Sequence, residues 1–188
     1  MNFQKNKYEV VRNALPRDVV EFLFIYSRAA RYAAELQTKA GEDCSRLGEF
    51  GDEQCPLSFS KYGDPAMDTF LMLATPFVES VTGLSLIETY SYYRVYCKGE
   101  TLEPHKDRGA CEISATICLG GDKWPIRMDG EDVTLNAGDV VIYRGEELEH
   151  SREAFQGETC SQVFLHYNDL NGPHGDSNKF DNRLGLLL

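Results

Sequence analysis

His105 and Asp107 stand two apart, straight after a Tyr- and Val-rich run that reads as a strand. Residues two apart on extended backbone project to one side, so the pair offers an imidazole and a carboxylate to one point. His150 follows 43 residues beyond Asp107, after the turn Ala137-Gly138-Asp139 and the apolar run Val140-Val141-Ile142-Tyr143. Two imidazoles and one carboxylate carried on strands can occupy one face of an iron(II) ion and leave its other positions open. The bland alternative makes His105 and Asp107 part of an exposed turn, since Lys106, Arg108 and Gly109 are polar, and His150 a surface residue behind Glu146-Glu147-Leu148-Glu149. His166 and His174 read as structural or surface histidines.

The elements that would position these groups fall into helices first and strands after. Leu15-Pro16-Arg17-Asp18 opens a helix in which Val19, Phe22, Leu23 and Tyr26 recur at helical spacing to about Thr38. Glycines, charges and Pro56 break any periodicity from Gly41 to Tyr62, so a long loop is expected there, a candidate lid. Asp64 caps a second helix with Pro65 in its first turn, Pro76 should interrupt or kink it, and Gly83 ends it. Short β-rich runs follow at 89–97, 111–119, 124–128, 132–136, 139–144 and 160–167. This order suits an α+β, mainly β fold: a double-stranded β-helix, or jelly-roll barrel of the cupin type, backed by N-terminal helices. One domain is expected over 1–188, helical to about 87, barrel from about 88 to 168, with a polar tail over 169–188.

A net charge of −11 disfavours a nucleic-acid partner, because the phosphate backbone would be repelled. No stretch approaches the roughly 18 apolar residues of a membrane span, and no apolar segment follows Met1–Lys7; a cytoplasmic location is the expectation. The six cysteines read as free buried thiols, and no Cys-x-x-Cys pair suggests zinc.

Tyr96-x-x-Gly99 before the His-x-Asp pair, Gly138-Asp139 before the last hydrophobic run, and a histidine just past it occur in one frame. From Lys7 to Tyr167 the chain resembles the iron(II)/2-oxoglutarate dioxygenases, and within them the prolyl-4-hydroxylase-like group. The resemblance implies Fe(II) held by His105, Asp107 and His150, with 2-oxoglutarate and O2 as cosubstrates and L-ascorbate as an optional accessory. It implies hydroxylation of a C–H bond, in a prolyl or other amino-acid residue or a free amino acid, with release of succinate and CO2. A non-catalytic jelly-roll module that binds a metal or a small carboxylic acid is the alternative.

The resemblance also implies that Tyr96 hydrogen-bonds 2-oxoglutarate. Strand alternation puts Tyr90, Tyr92, Arg94 and Tyr96 on one face, so Arg94 shares the orientation of Tyr96. Where the family carries Arg or Lys for the far carboxylate of 2-oxoglutarate this chain has Thr159, although Ser161 matches the serine two residues on. The replacement cation is expected to be Arg94, then Arg127, then Lys123. Arg127 is the weaker choice because Trp124, Ile126 and Met128 form the apolar face of its strand. Arg152 reads as a rim residue that could meet substrate.

Overall fold

The computed structural model describes residues 2–184. The elements are α1 (Asn2–Asn6), β1 (Tyr8–Val11), α2 (Arg17–Lys39), β2 (Glu49–Phe50), β3 (Phe59–Tyr62), α3 (Pro65–Thr82) and β4 (Leu86–Cys97). They continue with β5 (Leu102–His105), β6 (Ile113–Gly121), β7 (Ile126–Met128), β8 (Glu131–Val133), β9 (Val140–Arg144), β10 (His150–Arg152) and β11 (Thr159–Asp169). Single 3-10 turns lie at Gly109–Cys111 and Lys179–Asn182. Of the expected tail, residues 185–188 lie outside the described residues.

A seven-stranded sheet runs β1-β9-β6-β11-β4-β3-β2, and a four-stranded one runs β5-β10-β7-β8. Among the described residues every strand pairing in both is antiparallel. These are the two halves of a jelly roll, but no strand is shared between them among the described residues, so the expected barrel does not close. Strands of three or four residues in the smaller sheet are too short to carry a ladder around the corner.

The helices cover one face of the larger sheet. Val20, Leu23, Ser27 and Ala34 share the buried side of α2, as their spacing requires. Asp64 caps α3 by accepting from the backbone N–H groups of Ala66 and Met67, and Gly83 ends it in the left-handed conformation at φ 72°. Pro76 does not interrupt the helix. Its cost of about 3 kcal/mol is offset by fully burying Leu71 and Val78 on either side, at roughly 1.5–3 kcal/mol each. These side chains pack with Tyr93 and Val95 of β4, Ile113, Ala115 and Ile117 of β6, and Val163 and Leu165 of β11.

The stretch expected as one long loop contains β2 and β3, which extend the larger sheet through β4. Phe59-Ser60-Lys61-Tyr62 is too short and polar to announce a strand, and its pairing with residues 92–95 supplies what propensity lacks. All six cysteines are free.

Candidate active site

On the side away from the helices, a cavity of about 260 Å³ lies between the two sheets. β4 turns Tyr90, Tyr92, Arg94 and Tyr96 into it, as alternation requires. β10 pairs with β5 so that His150 stands opposite His105, and Asp107 follows two residues later, its N–H held by the Gly145 carbonyl at 2.9 Å.

The histidine tautomers follow from their partners. His105 Nδ1 lies 2.8 Å from the Glu103 carbonyl and His150 Nδ1 lies 3.1 Å from the Leu148 carbonyl. A carbonyl only accepts, so each Nδ1 carries the proton, and in the neutral rings each Nε2 keeps a bare lone pair. Both Nε2 atoms point at Asp107 Oδ1, from 3.7 and 3.5 Å. Burial alone would raise the Asp107 carboxyl, but His150 and His166 in their charged forms and the donating Ser114 hydroxyl outweigh it and hold the group below its usual value, so that it stays ionised when the rings are neutral. Two lone pairs and an ionised oxygen converging at such distances repel one another unless a cation lies among them. This donor set fits a hard-to-borderline divalent metal.

Behind the cluster, Ser114 Oγ lies 2.9 Å from Asp107 Oδ2, 3.2 Å from the Cys111 carbonyl and 2.9 Å from His166 Nδ1. Asp107, Cys111 and His166 also form a compact group of ligand types, but the Ser114 hydroxyl bonds to two of these residues' side chains. The Ser114 hydroxyl thus fixes the orientation of the Asp107 carboxylate. Ser114 gives its single proton to the carboxylate, so His166 donates to Ser114 and turns a bare Nε2 away from it. Burial pushes His166 down to about 4. His166 therefore lines the cavity as a neutral ring tilted against Tyr90 at 4.5 Å, and is not a surface histidine.

Gly145 shows how tightly Asp107 is seated. A Cβ built there would lie 2.3 Å from Asp107 Oδ2 and 2.3 Å from the Cys111 carbonyl.

The expected anchors for a second carboxylate need correction. Arg127 faces out of the sheet, half-exposed and paired with Asp132 at 3.0 Å and Glu153 at 3.4 Å, because Ile126 and Met128 take the inward side of β7. Lys123 is exposed and lines only a groove on the outer surface. On β11 the register turns Cys160, Gln162, Phe164 and His166 toward the site, which leaves Thr159 and Ser161 facing the other way. Ser161 is buried there, with its hydroxyl unpartnered.

Arg152, expected at the rim, is instead 4% exposed and lines the cavity. It donates to the Trp124 carbonyl and, at 2.8 Å, to Gln162 Oε1, and lies 4.9 Å over the Trp124 ring. Among the described residues no carboxylate lies within ion-pair distance of it. Burial lowers the guanidinium's affinity for its proton, yet arginine keeps its charge in proteins. Its signal was in the sequence: two residues after His150, alternation sends Arg152 to the same side.

No family model and no curated protein matches the chain. Solved structures do. A prolyl-4-hydroxylase from Pseudomonas putida superposes with a TM-score of 0.58 at 20% identity, over 88% of this chain and 95% of that one. An oxidoreductase of the 2OG-Fe(II) oxygenase family from Burkholderia pseudomallei gives a TM-score of 0.65 at 14% identity, over 93% and 90%. HygX from Streptomyces hygroscopicus, with nickel, 2-oxoglutarate and hygromycin B bound, gives 0.62 at 15%, over 90% and 85%. The chain has the fold of the iron(II)/2-oxoglutarate oxygenases, the double-stranded β-helix.

Proposed function

We propose that the protein is an iron(II)- and 2-oxoglutarate-dependent oxygenase whose metal is held by His105, Asp107 and His150. The convergence of two bare Nε2 atoms on one ionised carboxylate oxygen, in a cavity between the sheets, carries this reading. When bound, iron with 2-oxoglutarate and O2 supplies oxidative decarboxylation, giving succinate and CO2, coupled to oxidation of a substrate C–H bond.

The chain's own residues supply geometry and charge. The Glu103 and Leu148 carbonyls fix both imidazoles in the ligating tautomer, and Ser114 and Gly145 fix the carboxylate. Arg152 is the partner for the far carboxylate of 2-oxoglutarate, in place of the arginine or lysine missing at Thr159. It follows His150 by two residues, about 7 Å along a strand, which is comparable to the reach of a five-carbon diacid. A dianion there would balance Arg152 and the metal charge left over by Asp107. Tyr96, edge-on to Trp124 at 4.8 Å, walls the same end. Hydroxylation of a prolyl or other amino-acid residue, or of a free amino acid, is the first reaction class to screen.

The test is calorimetric titration with Mn(II) without oxygen, followed by succinate measurement with Fe(II). Wild type should bind one equivalent, and His105→Ala and His150→Ala should not. Asp107→Ala should bind more weakly and form no succinate, because it lacks the one anionic ligand. Unchanged metal binding in both histidine variants would sink the assignment.

A further inference from the structure

Of the two cavity arginines that the reaction above leaves unused, Arg94 and Arg108, Arg94 is the buried one. Its guanidinium lies 5.1 Å over the Tyr92 ring and 5.5 Å over the Tyr96 ring, and the residue is 4% exposed. A guanidinium has five N–H donors. Nη2 donates to Asp52 Oδ2 and, at 2.8 Å, to the Tyr92 hydroxyl; Nη1 makes one long contact, 3.4 Å, with Gln54 Oε1; buried Nε has no partner.

Asp52 is in the opposite condition. Oδ1 accepts from the backbone N–H groups of Gln54 at 3.0 Å and Cys55 at 2.7 Å, while Oδ2 accepts from Tyr92 at 3.1 Å and from Arg94. That fills the roughly four lone-pair sites of a carboxylate. The pair has donors to give and no acceptor left, so what completes it is an acceptor from outside.

The charge arrangement says which kind. Arg94 lines the cavity and its partner Asp52 does not; Arg108 lines it and its partner Asp181 does not. Both pairs turn their positive end inward. Around the cavity, three arginines face a single carboxylate, that of Asp107, in a chain of net charge −11. The 2-oxoglutarate dianion answers Arg152 and the metal, which leaves the inward field at Arg94 unanswered.

Resting on the oxygenase reading, we propose that Arg94 recognises a carboxylate on the primary substrate, a small organic acid or amino acid. The unpartnered Nε–H donates to one of its oxygens, and the aromatic walls of Tyr62, Tyr90, Tyr92 and Phe164 take its carbon body.

The experiment uses wild type, Arg94→Gln and Arg94→Lys loaded with Mn(II) and saturating 2-oxoglutarate without oxygen. Each is titrated calorimetrically with a panel of L-amino acids, N-acetyl amino acids and aromatic acids, each beside its methyl ester. At least one acid should bind wild type, with its ester and the Arg94→Gln variant each weaker by about tenfold or more, and Arg94→Lys intermediate because an ammonium keeps the charge but not the fixed Nε–H. Affinity for 2-oxoglutarate should stay within about twofold in both variants. Three results overturn the proposal: acid and ester binding alike, no acid distinguishing wild type from Arg94→Gln, or Arg94→Gln losing 2-oxoglutarate as Arg152→Gln is expected to. Failure of wild type to hold Mn(II) with 2-oxoglutarate would bring down the oxygenase reading itself, and this proposal with it.

Discussion

Arg152 brings a full positive charge between the sheets with a carbonyl and an amide oxygen to answer it. Such a charge is costly until an anion arrives, so the energy of binding a diacid should concentrate there. Arg152→Gln should weaken 2-oxoglutarate binding by about 2–5 kcal/mol, on the order of 30- to several-thousand-fold, with Mn(II) affinity retained. Calorimetry with Mn(II) bound checks this, and an unchanged 2-oxoglutarate affinity would remove Arg152 as the anchor. Gly145→Ala should act on the other ligand set: its methyl would meet Asp107 Oδ2, so Mn(II) should bind less tightly while 2-oxoglutarate still reaches Arg152. At this scale the sequence was informative wherever a single rule applied. Alternation alone placed Arg94 beside Tyr96 and would have placed Arg152 beside His150. Counting residues from the family's spacing misled at Thr159 and Ser161, because spacing counts residues while register decides which of them turn inward. Ser114 and Gly145 carry no local signal, since their roles exist only once β6 and the β9–β10 turn meet Asp107.

Elements were legible in proportion to how much of their stability is local. Asp64-Pro65 and Gly83 bracket α3 through hydrogen bonds and backbone angles that neighbours in sequence supply. β5 and β10 have four and three residues and exist through partners distant in sequence. Asp139, in the turn before β9, shows one residue tying elements together. It is buried, and accepts from Arg12 Nη1 at 2.8 Å, Asn13 N at 2.9 Å and Asn136 N at 2.9 Å, joining the end of β1 to the turn that leads toward the metal site. Burial would raise its carboxyl, but these donors prevail and lower it. With the folded pKa below the unfolded one, its contribution is present above about pH 4 and is lost as pH falls through the folded value. Asp139→Asn should therefore be less stable than wild type by about 1–3 kcal/mol at neutral pH. In urea titrations the two curves should converge in acid; a gap that stays constant with pH would show that the carboxylate's charge is not what matters.

Across the whole molecule, the segment after β11 returns to the mouth of the cavity and is held there against its own preference. Phe180, Asp181 and Asn182 are three successive non-glycine residues with positive φ, at 51°, 52° and 59°, a conformation that costs roughly 1–2 kcal/mol per residue. Backbone in that state persists where surroundings over-determine it. Here the surroundings are ionic. Arg108 donates to both oxygens of Asp181, at 2.8 and 2.7 Å, and Tyr62 donates to it as well. One residue past this strained stretch, Arg183 reaches Asp68 on α3 at 2.7 Å; Asp68 is 1% exposed and also accepts from Ser91 of β4. The tail thus fastens helix, sheet and rim together through two carboxylates. Asp181→Ala should release the strain and free the segment while leaving the core of α3 and the larger sheet intact. The Lys179–Phe180 bond reports this directly, because trypsin cuts it only when the segment is open. Losing the Arg108 fork and the Tyr62 bond should raise the cleavage rate at Lys179 by about tenfold or more, equivalent to about 1.4 kcal/mol of local opening, with little change in global melting. Equal cleavage of variant and wild type would mean that Asp181 does not hold the segment, and that Arg183 with Asp68 carries it alone.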